Sequence, residues 1–258
     1  MTPYYQSAQV TLYHGDARDV LLHLVDRPVS CVTDPPYGET HMAWDRWPSG
    51  WVASVGRVLP KNASLWCFGS LRLMIQHSPE FTLRGWKLGQ DVVWEKANGS
   101  GPSNGRFRRV HEFAVHWYRG KWSKIHHEID RVPSEKVLDT SVRRREAHRA
   151  PIATPRARNR YQSSVWADDG FRQMRSVLRA PSVRFKKRHP TEKPEPFVRV
   201  LVMESTPLGG LVVDPFAGAG TTGEAAIRSG RRALLIETDE RSCEVTAKRI
   251  EKVVKLAA

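Results

Sequence analysis

Asp34-Pro35-Pro36-Tyr37-Gly38 places an acid, two prolines, an aromatic ring and a glycine in five consecutive positions. The apolar run before it, Val29-Ser30-Cys31-Val32-Thr33, reads as a buried strand. Two prolines cannot continue a ladder, so the chain must leave the sheet at this point. The Asp34 carboxylate, the carbonyls beside the prolines and the Tyr37 ring are then presented at a strand's carboxyl end, where open α/β sheets bind ligands. A charged acceptor, a rigid backbone acceptor and an aromatic plate suit a flat ligand that carries an NH2 group. A nucleobase is such a ligand.

A second constellation runs Asp214-Pro215-Phe216-Ala217-Gly218-Ala219-Gly220-Thr221-Thr222-Gly223, between a predicted strand and a predicted helix. Its glycines permit positive φ and close backbone approach. The helix N-terminus behind them offers N–H groups to a carboxylate or phosphate. Glu237 closes the next predicted strand, 19 residues beyond Gly218, where an acid can hold two ribose hydroxyls. The pair reads as a nucleoside-cofactor site. Gly218-x-Gly220-x-x-Gly223 also matches the dinucleotide fingerprint, a weak signal on its own, and no GxxxxGK[ST] loop is present.

These motifs need elements to hold them. The pattern predicts strands at 10–13, 29–33, 64–68, 87–94, 112–118, 211–213 and 232–236. It predicts helices at 17–24, 51–59, 71–76, 195–204, 221–229 and 240–256. Residues 98–105, rich in Gly, Ser and Asn, read as a flexible loop. From about Lys121 to Lys187 periodicity fails, and prolines and arginines are interleaved with Trp122, Tyr161, Trp166 and Phe171. The expected organisation is one α/β domain of residues 1–120 and 189–258, with a basic, loop-rich insertion at 121–188 that contacts a partner.

Charge supports a polyanionic partner. The net charge is +14 and the pI about 10.1. Residues 136–188 hold 15 Lys/Arg against 4 Asp/Glu, most of that excess in about a fifth of the chain. Arg143, Arg144, Arg145, Arg156, Arg158, Arg160, Lys186 and Lys187 are the candidate contacts to such a polyanion. The three cysteines, Cys31, Cys67 and Cys243, lie far apart without a CxxC pair, which argues against a zinc site and a disulfide framework. Residues 1–9 lack a basic-then-apolar leader pattern, and no apolar run reaches the length of a bilayer span. A cytoplasmic location, with neither membrane nor metal as partner, is the expectation.

Asp34–Gly38, His189-Pro190-Thr191-Glu192-Lys193-Pro194 and Asp214–Thr222, in this order, resemble the β class of S-adenosylmethionine-dependent DNA amino-methyltransferases. The resemblance covers about Val10–Arg119 and His189–Ile250, and it implies a methyltransferase catalytic domain of residues 1–120 and 189–258 with the basic insertion at 121–188 as its target-recognition region. It implies an α/β fold: a Rossmann-like, mostly parallel seven-stranded sheet with one antiparallel strand. The permuted motif order would make the first and last segments spatial neighbours. It implies S-adenosyl-L-methionine as cofactor and double-stranded DNA as partner, and leaves a homodimer as an option. Carried over residue by residue, Asp34, Pro35, Pro36 and Tyr37 would be catalytic, and Asp34 would also border the cofactor. Asp214, Phe216, Ala217, Gly218, Ala219, Gly220 and Thr221 would line the methionine part of the cofactor. Glu237 would take the ribose hydroxyls and Asp16 the adenine amine. His189, Thr191 and Lys193 would lie beside the cofactor's carboxylate.

The implied chemistry is transfer to an exocyclic amine. Its lone pair is delocalised into the ring, and two acceptors on its hydrogens favour an sp³-like, nucleophilic nitrogen. Such a base must be flipped out of the duplex, with Tyr37 stacking on it. Phe113 and Trp117 are secondary stacking candidates that read equally well as core. Ser30, Trp66 and Ser242 precede the cysteines, so the proline–cysteine pair of the carbon-5 cytosine enzymes is missing. Asp34 favours adenine N6 over cytosine N4. A DNA-binding protein without catalysis, and a protein-glutamine methyltransferase with Asn-Pro-Pro-Tyr, are the rival classes. No nuclease motif is visible, so a solitary methyltransferase is the expectation, with a separate restriction partner as the alternative.

Overall fold

The computed structural model describes residues 1–24, 26–39, 42, 44–96, 105, 107–128, 131–133, 171–180 and 192–257. In chain order they form β1 (Tyr5–Gln6), β2 (Val10–His14), α1 (Ala17–Val20), β3 (Ser30–Thr33), α2 (Trp51–Val58), β4 (Ala63–Gly69) and α3 (Leu71–Thr82). Then follow β5 (Lys87–Glu95), β6 (His111–Arg119), β7 (Arg131–Pro133), β8 (Phe171–Gln173), β9 (Val177–Arg179), α4 (Glu195–Ser205), β10 (Leu211–Asp214), α5 (Thr221–Arg228), β11 (Arg232–Glu237) and α6 (Glu240–Ala257). They fall into two compact units, residues 1–129 with 175–258 and residues 130–174. Both boundaries lie within the stretch expected to be the insertion. In the smaller unit the described residues are β7, β8 and Met174, and the two strands pair antiparallel with Arg131 opposite Gln173.

The larger unit is built on one sheet in the order β1-β2-β11-β10-β3-β4-β6-β5-β9. Strands β2, β11, β10, β3 and β4 run parallel, β6 runs against both of its neighbours, and β5 returns to the common direction. This is the expected seven-stranded sheet with one antiparallel member. Two short edge strands extend it to nine: β1, antiparallel to β2, and β9, parallel to β5. The first and last segments do meet, with His14 on β2 opposite Glu237 on β11.

Every residue of β3, β4 and β10 is buried, as parallel strands covered on both faces require. Alternate residues feed two separate cores. Val32, Trp66, Val212 and Leu235 pack with Phe197, Leu201, Ala225 and Ile250 of α4, α5 and α6. Cys31, Leu65, Val213 and Leu234 pack with Val20, Val55, Leu73 and Phe81 of α1, α2 and α3. Helix α5 follows β10 on one face and α2 follows β3 on the other, and β10 and β3 are neighbours. The connections therefore diverge between these two strands, which opens a crevice at their carboxyl ends.

Besides β7 and β8, four elements differ from the sequence reading. The helix at 17–24 is four residues of α-helix, Ala17–Val20, followed by a 3₁₀ turn at Leu21–His23. Helix α3 continues past Gln76 to Thr82 through Pro79. Pro79 cannot donate to the Ile75 carbonyl, and the Ser78 hydroxyl donates to it instead at 3.2 Å. Strand β1 is only two residues long, too short for a periodic signal. Residues 177–179, within the expected insertion, join the main sheet as β9, and Trp94 Nε1 donates to the Ala180 carbonyl at 2.9 Å.

Candidate active site

Asp34 follows β3 directly, and Asp214 ends β10, so the two acids stand on either side of the crevice. They are bridged: Thr33 Oγ1 donates to Asp214 Oδ1 at 2.7 Å. Asp214 also accepts from Phe216 N at 3.1 Å and from Thr222 Oγ1 at 2.6 Å. Its carboxylate therefore ties β3, the glycine loop and the first turn of α5 together. Burial pushes it up to about 6, although the hydrogen bonds pull the other way.

The acceptor loop is held from below by Asp45, itself buried. Asp45 Oδ1 accepts from Tyr37 N at 2.7 Å and from Gly38 N at 2.8 Å, and Oδ2 accepts from Glu39 N at 3.0 Å. Sequence reading missed Asp45, because an acid seven residues beyond a motif carries no spacing signal. Asp34 has both oxygens engaged. Oδ1 accepts from the Tyr37 hydroxyl at 2.6 Å, and Oδ2 accepts from Lys193 Nζ at 2.5 Å. The Tyr37 ring is therefore oriented by the acid beside it. Burial raises the Asp34 carboxyl above the usual range against the pull of Lys193, and it raises the Tyr37 phenol too.

Lys193 is 6% exposed. Besides Asp34 it meets Glu112 Oε2 at 3.2 Å, and its ammonium lies 5.4 Å from the Tyr37 ring centre and 5.3 Å from that of Phe68. Glu112 pairs further with Lys96. The second acid reaches the site because β6 is antiparallel: Gly69 at the end of β4 faces Phe113, so the start of β6 lies at the carboxyl edge. Sequence reading placed Lys193 at the cofactor's carboxylate and did not single out Glu112. No spacing in the chain could reveal a contact set by strand direction.

The glycine loop has the features of a ligand cradle. Gly218 has φ +52°, and a Cβ built there meets nothing within 4 Å, so open space lies above it. Gly220 has φ +75°, and its Cβ would come within 2.6 Å of Thr246 Cγ2, so close packing demands glycine there. Gly220 caps α5 and has no side chain with which to accept from the helix's first N–H groups. Glu237 Oε2 accepts from Gly218 N at 2.8 Å and Oε1 from Asp239 N at 2.9 Å. Two backbone donors thus fix the carboxylate, Thr238 Oγ1 adds a longer contact to Oε1 at 3.4 Å, and Oε2 keeps a lone pair for a ligand hydroxyl. Behind the loop, buried Arg249 joins Glu192, Glu224, the Ala219 carbonyl and Thr221 Oγ1.

Asp16 lies beyond the end of β2, beside Glu237, where Gly15 N donates to the Glu237 carbonyl at 2.8 Å. Its carboxylate caps α1 and is held by the Arg18 guanidinium, which keeps it below the usual carboxylate range. Trp117 is core: it is buried and stacked on Phe81 at 4.4 Å, so it cannot take a base. Phe113 is half-buried beside His111. His189, Thr191, Arg143, Arg144, Arg145, Arg156, Arg158, Arg160, Lys186 and Lys187 lie outside the described residues. Among the described residues no group of His, Cys, Asp and Glu is arranged to hold a metal, and no helix is long and apolar enough to cross a membrane.

Comparison with known proteins gives a consistent result. A family model described as DNA methylase, covering N6 and N4 enzymes, matches residues 30–249. The type II methyltransferase M2.DpnII of Streptococcus pneumoniae is 23% identical over 96% of this chain and 92% of its own length. The crystal structure of the M1.HpyAVI–SAM complex superposes with a TM-score of 0.64 at 21% identity, over 93% of this chain and 99% of that one. The PvuII cytosine-N4-specific DNA methyltransferase does so with a TM-score of 0.64 at 17% identity, over 99% and 93%.

Proposed function

The chain belongs to the DNA methylase family, as an amino-methyltransferase of DNA, and we propose that its target is the exocyclic N6 of an adenine flipped out of the duplex. The observation that carries this reading is the Asp34 carboxylate, set between Tyr37 and Lys193 at the sheet's crevice and linked through Thr33 and Asp214 to the glycine loop. An acid in this first position is the commoner choice in the adenine enzymes that the chain resembles, where the cytosine enzymes more often carry serine.

S-adenosylmethionine fits the cradle, and when bound it supplies an electrophilic methyl group on its sulfonium. The N–H groups of the α5 N-terminus would take its carboxylate, Glu237 its ribose hydroxyls and Asp16 its adenine amine. Phe216, Ala217, Gly218, Ala219, Gly220 and Thr221 would form the wall beside it, and Asp214 would hold that wall in shape.

The remaining work falls to the acceptor loop. Asp34 and the Pro35 carbonyl accept the two N–H hydrogens of the amine, which draws the nitrogen away from conjugation and frees its lone pair. The proline ring keeps its carbonyl from turning away. Positive charge then develops on the nitrogen opposite a carboxylate fixed in advance, an arrangement in which one group is typically worth about 3 kcal/mol of barrier. Tyr37 covers the base with a ring whose tilt Asp34 sets.

Modification-sensitive long-read sequencing of DNA from a host expressing the chain tests this reading. N6-methyladenine at one short sequence is expected. N4-methylcytosine as the sole new base would overturn the choice of target.

A further inference from the structure

We propose that Lys193 and Glu112 are positioning residues for Asp34: the Lys193 ammonium bridges the two carboxylates, fixes the one that faces the base, and divides its charge between them, so that Asp34 is not neutralised by a lysine of its own. The proposal rests on the reading of Asp34 as the acceptor of the target amine, and it assigns Lys193 to that acid rather than to the cofactor.

The geometry is that of a built site. Lys193 is buried at the entry to α4 and touches Asp34 Oδ2 at 2.5 Å and Glu112 Oε2 at 3.2 Å. The faces of Tyr37 and Phe68 enclose the same ammonium. A buried lysine with one acid partner would neutralise it and would cancel the field that a developing cation needs. With two acids on one ammonium, the charge of Lys193 is divided between Asp34 and Glu112 and does not neutralise Asp34 alone. Lys96 pairs with Glu112 from the rim, where both are about one-fifth exposed, so the four groups together carry no net charge. Asp34 thus gains a fixed rotamer without losing its electrostatic role. The Tyr37 hydroxyl fixes the other oxygen, so one lone pair on each remains for the base.

The groups that face Asp34 from its packed neighbours are Tyr37 on its own loop, Lys193 before α4, Glu112 on β6, and Cys67 and Asp214 on β4 and β10. Cys67 remains a neutral thiol, pushed well up by burial. Within this set Lys193 draws the Asp34 carboxyl down and Glu112 pushes it up. Their removal must therefore move the ionisation of Asp34 in opposite directions.

The experiment is single-turnover methyl transfer with the full-length protein, S-adenosylmethionine and duplex DNA, followed from pH 5 to 9 for the wild type, K193Q, E112Q and K193Q/E112Q. In K193Q the two acids face each other with no ammonium between them, and the acid limb is expected to rise by about one to three pH units. In E112Q the limb falls, and the rate on the plateau drops by about 10²-fold, as for loss of one preorganised charge. The double variant, in which Asp34 has neither partner, returns the limb towards the wild-type position. The KM for S-adenosylmethionine stays within about threefold throughout, as expected where a substitution removes only transition-state contacts. E112Q is at a half-open position and reports even where K193Q folds poorly. Limbs that move in the same direction, or K193Q with an unshifted limb and a raised KM for the cofactor, would overturn the proposal. D34N with wild-type turnover would instead overturn the underlying reading of Asp34, whatever the other variants do.

Discussion

Replacing Asp214 with asparagine separates the electrostatic cost of this side chain from its hydrogen bonds. Asp214 is 4% exposed, and the three groups that bond to it are neutral: two threonine hydroxyls and one backbone N–H. Burial raises its carboxyl from 3.8 to about 6. Between pH 4 and 6 the folded protein therefore holds a proton that the unfolded chain has released. Stability contributed by this group falls as pH rises through that window and is level above it. About two units at 1.36 kcal/mol each give a penalty of about 3 kcal/mol at neutral pH. Asparagine has the same shape and keeps one oxygen for Thr33 and Phe216. Its amide then donates to Thr222, whose hydroxyl turns to accept. Urea unfolding of both proteins at fixed salt, from pH 4 to 7.5, gives the difference in stability directly. The two should be nearly equal at pH 4, and D214N should be more stable by about 3 kcal/mol at pH 7. A flat difference curve, or a variant that loses ground as pH rises, would refute the argument.

Other substitutions test neighbouring contacts. Tyr37→Phe keeps the stacking plate but removes a donor to Asp34. It should lower the transfer rate by about 10- to 100-fold, the loss of one hydrogen bond to a charged group, and shift the acid limb upward, with DNA affinity unchanged in a salt titration. Asp45→Ala strands three N–H groups of the acceptor loop. It should cost about 2 kcal/mol or more of stability and slow transfer, read by thermal melting beside single-turnover assays. Gly220→Ala forces a Cβ into Thr246 and should lower the melting temperature clearly. Gly218→Ala meets no protein atom. It should cost only about 1–2 kcal/mol of backbone strain, yet weaken S-adenosylmethionine binding by calorimetry, because its methyl group enters the cradle.

Much of this architecture could be read from the chain because buried parallel strands announce themselves as apolar runs. Val29–Thr33 and Leu211–Val213 each end in Asp-Pro, which marked both where the strands stop and what they present. The geometry of the glycine loop was equally legible, because Gly218, Gly220 and Glu237 act through local backbone geometry and strand-end position. What stayed hidden depends on contacts between distant segments. Glu112 is an ordinary strand acid until β6 is known to run against β4. Lys193 pairs with an acid 159 residues away. Asp45 works through backbone N–H groups that any sequence would supply. Pro79 reads as a helix terminator unless Ser78 is seen to satisfy Ile75. The short pairing of Val177–Arg179 with β5 lacks the length that periodicity needs.

The central claim is that Asp34 sits at the head of a site that methylates an exocyclic adenine amine. Nucleoside mass spectrometry of DNA incubated with the purified protein and S-adenosylmethionine, run beside Asp34→Ala, tests it most directly. The account predicts N6-methyldeoxyadenosine from the wild type and none from the variant, which still binds DNA with the same salt dependence. N4-methyldeoxycytidine alone from the wild type, or undiminished methylation by Asp34→Ala, would contradict it.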